Sequence, residues 1–179
     1  MSECTHSMAI DTSLGRVQVI GSVVTPGPDK IETFLEIVKV LPHLPMGMKV
    51  RSCVAVLLKI VGSVELQNIE LSLSVRNDLR GRACTGERLE AQEWSDGEHI
   101  LVVGTEDGEA LDLRYPNLQL GEKKIIDYTH HSMRLKIADL PELYNPSFHL
   151  VIAENDDPEP TETSAWFAVD QDHGFLLAQ

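Results

Sequence analysis

Residues 31–41 read IETFLEIVKVL, and two periodicities fit them. Ile31, Phe34, Leu35, Val38 and Leu41 recur at the spacing of one helix face, while Phe34, Glu36, Val38 and Val40 would share one side of a strand. A helix here makes the chain α+β; a strand leaves it all-β. The flanks tip the balance. Residues 15–24 (GRVQVIGSVV) are rich in Val and Ile and read as a strand, broken by Pro26-Gly27-Pro28-Asp29. Residues 48–61 (MKVRSCVAVLLKIV) read as a long, mostly buried strand, central in its sheet. Pro42 and Pro45 end the 31–41 segment in either conformation. With β signals on both sides, the segment is read as a strand.

The pattern continues outward. Residues 65–75 (ELQNIELSLSV) alternate apolar and polar, with one slip at Gln67-Asn68 that predicts a bulge. Asp96-Gly97 and Asp107-Gly108 are flanked by strand-like runs at 89–94, 100–103 and 110–113, so both read as hairpin turns. Shorter strands are expected at 124–128, 133–137, 148–153, 165–169 and 175–177, with one helical turn near 140–144. The expected fold is mostly β: an antiparallel β-sandwich of about eight to eleven strands with at most one or two short helices. Residues 1–14 are read as a flexible N-terminus and 15–179 as a single domain. The strand rhythm resembles the general pattern of C2-like and immunoglobulin-like sandwiches. That resemblance lies at the level of the fold and carries no function.

Composition narrows the function classes. The chain has 179 residues, of which 42% are hydrophobic and 24% charged, an ordinary globular balance. No uncharged apolar run approaches about 18 residues, which excludes a transmembrane helix. The first residues have neither the basic start nor the apolar core of a signal peptide. Fifteen Lys+Arg stand against 28 Asp+Glu, giving a net charge of −13. That sign disfavours direct binding to nucleic acid or to anionic membranes. The charge is also uneven, because residues 137–179 hold no Lys or Arg at all. Cys4, Cys53 and Cys84 are odd in number and form no C-x-x-C pair, so a reducing, cytoplasmic location is expected.

Three groups of residues are candidates for chemistry. Glu154, Asn155, Asp156, Asp157 and Glu159 crowd carboxylates into a short segment after the 148–153 strand. Calcium takes about six to eight oxygens from such groups, often on flexible loops, so Glu154, Asn155, Asp156 and Asp157 are a candidate calcium set; C2 and cadherin sandwiches also bind calcium on loops at their sheet ends, but no ligand position is carried over from them. Arg76, Arg80 and Arg82 form a basic patch suited to an anion or an acidic partner. Of seven histidines only His130 and His131 are adjacent, and neighbours on a strand point to opposite faces. His149, between Phe148 and Leu150, reads as a structural core histidine, and Cys4 with His6 as an adventitious metal binder.

No G-x-S-x-G elbow, P-loop or H-E-x-x-H motif is present. The expected role is non-enzymatic: an interaction module whose acidic C-terminal surface (Glu154, Asp156, Asp157, Glu159, Glu162, with Trp166 as an apolar anchor) engages a protein partner of basic character. The alternatives are an inhibitor or immunity-type protein blocking a basic, nucleic-acid-acting effector, a calcium- or ligand-binding sandwich with no other cofactor, and a structural component of a larger assembly, including a homo-oligomer.

Overall fold

The computed structural model describes residues 2–157 and 163–179. Two antiparallel sheets stack face to face as a β-sandwich, and helices cover the outer side of one of them. The first sheet has the order β1-β2-β6-β11-β10, with β1 Ser2–Thr12, β2 Gly15–Thr25, β6 Asn68–Ser74, β10 Ile126–Tyr128 and β11 Ser132–Ala138. The second runs β3-β4-β13-β9-β8-β7. Its strands are β3 Glu32–Lys39, β4 Ser52–Val61, β7 Arg82–Ala83, β8 Leu89–Ser95, β9 His99–Glu106 and β13 Ser147–Asp156. A small ribbon pairs β5 Ser63–Val64 with β12 Leu143–Tyr144, so residues 143–144 are strand rather than the expected helical turn. Three α-helices, α1 Gly108–Arg114, α2 Ser164–Val169 and α3 His173–Leu177, and two single 3-10 turns, Pro28–Lys30 and Pro116–Leu118, complete the described elements. No helix among them is long and apolar enough to cross a membrane.

Two-sided burial explains the apolar runs. On β4, Val56, Leu58 and Ile60 face the other sheet, while Cys53, Ala55 and Leu57 face the helices. On β13, Phe148, Leu150 and Ile152 face the sheet, and Val151 and Ala153 the helices. A strand covered on both sides loses its polar alternation, which is how residues 48–61 read. Side chains of Leu or Val buried this way contribute about 1.5–3 kcal/mol each.

The sandwich and the β3 strand match the sequence reading. Several local expectations are corrected. Residues 2–12, expected to be loose, form β1 and pair along the whole length of β2, from Ser2↔Thr25 to Thr12↔Gly15. The Gln67-Asn68 slip is the start of β6 and not a bulge; the Gln67 N–H already donates to Val24 O at 2.9 Å. The Asp107-Gly108 pair opens α1 instead of a hairpin, because the Asp107 carboxylate accepts from the Ala110 N–H at 2.8 Å and caps a helix. Residues 165–169 and 175–177, expected as strands, lie in α2 and α3. Thr163 Oγ1 caps the first through the Trp166 N–H, and the Asp172 carboxylate caps the second through the Phe175 N–H, each at 3.2 Å. These helices cover Leu57, Val102 and Val151, which would otherwise be exposed.

Candidate functional site

The register of β9 and β13 builds the site. Val151 lies opposite Gly104, so two residues further along Glu106 and His149 come side by side at the strand ends. Both point to the helix-covered face, as does Ser147. The chain turns from Glu106 straight into α1, whose last residue, Arg114, folds back over Glu106. Its Nε donates to Oε1 at 2.9 Å and its Nη2 to Oε2 at 2.6 Å, a bidentate pair. The same Nη2 donates to Ser147 O at 3.1 Å. Tyr115 Oη accepts from the Ser147 N–H at 2.9 Å. From the other side α3 brings in His173, its first residue.

The two imidazoles stack, with ring centroids 4.9 Å apart. His149 Nδ1 and His173 Nδ1 lie 2.7 Å apart, so one carries a proton and the other accepts it. His173 Nε2 is 2.8 Å from Ser147 Oγ, and His149 Nδ1 is 3.8 Å from Glu106 Oε2. Thr105 Oγ1 donates to His149 O at 2.6 Å, pinning the backbone. His149 is only 2% exposed and His173 3%. Burial drives the His149 pKa well below the usual imidazole value, helped by His173 and the Arg114 charge. Burial, with Arg114, lowers His173 to about 3. Both rings are therefore neutral at pH 7. Burial raises the Glu106 carboxyl above its usual value, opposed by the Arg114 hydrogen bonds and charge.

Glu106 and Arg114 also line a cleft of about 450 Å³, together with Glu87, Arg88, Leu113, Asp170 and Asp172. Carboxylates outnumber cations there. Asp170 is exposed, yet partial desolvation raises its pKa, and no hydrogen bond or ion pair among the described residues holds it. Leu113 is 67% exposed and offers an apolar wall.

The residues expected from sequence have other engagements. Glu154 lies within β13, buried, and accepts from the Ser13 hydroxyl at 2.7 Å. Asn155 Nδ2 donates to Lys49 O at 3.0 Å, and Asp156 pairs with Arg51 at 3.4 Å. Asp157 accepts from the Ser95 hydroxyl. The strand runs through Asp156, so Asn155 points away from Glu154 and Asp156, and the structure does not bring the four candidate calcium ligands together. Glu159 and Glu162 lie outside the described residues. Trp166 is partly buried on α2; its indole N–H donates to Cys84 O at 2.8 Å and ties the helix to the 84–86 loop. In the basic patch Arg76 pairs with Asp78, and Arg82 Nε donates to Glu93 at 2.9 Å, while Arg80 is exposed. Two of the three guanidinium groups are thus already matched by carboxylates.

Sequence reading found His149 and missed its surroundings. Glu106, Arg114 and His173 come from three other elements, and no local spacing links them. Comparison with family models, with characterised proteins and with solved structures finds no match for this chain.

Proposed function

We propose that the protein is a non-enzymatic interaction module that engages a basic protein partner through the acidic cleft between α1 and α3, whose lining takes Asp170 and Asp172 from the C-terminal segment rather than Glu154, Asp156, Asp157 or Trp166. The observation that carries this reading is Asp170, a carboxylate with no hydrogen bond or ion pair among the described residues, on a cleft whose other acids include Glu87 and Asp172. A lysine or arginine side chain of a partner fits this chemistry: its stem would pack on Ala110 and Leu113 and its charge would meet Asp170. The net charge of −13 would speed encounter with a basic partner and make binding sensitive to salt. Three free thiols suit a reducing, cytoplasmic setting.

The test is capture of partners from cell lysate at low and at high salt, with wild type and Asp170→Asn in parallel. A stoichiometric partner is expected at low salt only, bound about tenfold more weakly by the variant. Binding that survives high salt and ignores Asp170→Asn would sink the reading.

A further inference from the structure

We infer that Glu106, His149 and His173 form a binding site for one divalent transition-metal ion of the zinc type. Their ligand atoms all lie within 4.8 Å of one another. Around a tetrahedral ion with ligands at about 2.0–2.2 Å, neighbouring ligand atoms sit about 3.2–3.6 Å apart. The observed separations of 2.7 Å (His149 Nδ1 to His173 Nδ1) and 3.8 Å (His149 Nδ1 to Glu106 Oε2) bracket that spacing. Opening the two nitrogens by about half an ångström brings that pair to the tetrahedral spacing.

Two of the three ligands, His173 and Glu106, have the supporting contacts a metal site needs. A ligating imidazole donates its other N–H to a fixed acceptor, which sets the tautomer. His173 has Ser147 Oγ at 2.8 Å from Nε2 for this purpose. Glu106 is oriented by Arg114, whose Nε is shared between Oε1 at 2.9 Å and Oε2 at 3.1 Å while Nη2 donates to Oε2 at 2.6 Å, so an ion on Oε2 would displace the longer of its two bonds. No net proton need leave. In the present geometry one ring carries its proton on Nδ1; in the metal-bound form both carry it on Nε2, a change of tautomer. Of the cleft carboxylates, Asp172 lies close enough to act on His173 and Glu106 and so to meet part of the added positive charge. Two nitrogens and one carboxylate select zinc, cobalt or a similar ion over calcium, which takes oxygen. Glu106 lines the cleft, so the ion's remaining position faces it. This site requires no protein partner, so its failure and that of the partner reading are separable.

Calorimetric titration of the chelator-treated protein with Zn²⁺ tests the site. One equivalent should bind and raise the Tm. Glu106→Gln and His173→Gln should each weaken binding by about 100-fold or more, and Ser147→Ala by about tenfold. His6→Ala, which removes the N-terminal Cys4/His6 pair as a competing binder, should change nothing. Because the buried variants could unfold, wild type is also titrated with Co²⁺, whose visible absorption reports tetrahedral coordination. Zinc binding that is unchanged in Glu106→Gln and His173→Gln, or absent in wild type, would overturn the site. So would cobalt bound without the tetrahedral bands.

Discussion

Cys53 sits on β4 beneath α2, with its thiol 3.6 Å from the Ala168 carbonyl, and burial pushes its pKa up to about 12. Cys84 is likewise raised to about 12, by burial first and then by the Glu93 carboxylate. Only the thiolate is a good nucleophile, so both should be inert near neutral pH. Alkylation of the native protein at about pH 8 is expected to label Cys4 alone, and all three cysteines after denaturation. Fast native labelling at Cys53 or Cys84 would refute the burial assigned to them. The sequence placed Cys53 in the core from its apolar neighbours alone. His149 shows where that method stops. Its strand marks it as buried, but a buried imidazole also needs a partner, and the partner is 24 positions away in α3. Periodicity reports which face a residue occupies and is blind to what another element lays on that face.

The helices illustrate a different limit. Asp96-Gly97 and Asp107-Gly108 look alike in sequence. The first turns β8 into β9, with Gly97 at φ +92° and Asp96 accepting from the Glu98 and His99 N–H groups at 2.9 and 2.8 Å. The second starts α1, because residues 108–114 find a helical place over the end of β9. An Asp side chain serves equally as turn former and N-cap, so tertiary context chooses. Asp107→Ala should therefore cost about 1 kcal/mol, read as a lower midpoint of denaturant unfolding with unchanged slope. The docking of α2 makes a second demand. A Cβ at Gly104 on β9 would lie 2.7 Å from Val169 Cγ2, closer than such atoms approach. Gly104→Ala should destabilise by about 1–3 kcal/mol through overpacking. A neutral result would mean that α2 is not held against β9 as described. The signals for α2 and α3 were present as Thr163 and Asp172, but AWFAV and FLL are too short to show a helical period.

At the scale of the molecule, the layering follows from hydrophobic pattern, and the open edges follow from strand length. β7 and β10 end their sheets with two and three residues, too short to template a partner. β3 is longer. It meets β1 at a corner through His6 Nε2 and Thr33 Oγ1, 2.6 Å apart, but among the described residues its outer edge is unpaired, and it carries Phe34 and Ile37, 41% and 51% exposed. The chain keeps such an edge from self-pairing with charge: Glu32, Glu36 and Lys39 on the strand, and −13 overall. That protection depends on pH. Near the pI of 4.8 the net repulsion vanishes while the apolar edge remains. Light scattering is therefore expected to rise as the pH is brought to that value. Ile37→Lys should suppress the rise by placing a charge on the edge itself. Tyr144→Lys adds the same charge on β12, at a site 77% exposed, and should not. Equal protection by both variants would assign the effect to net charge alone and remove β3 as the point of contact.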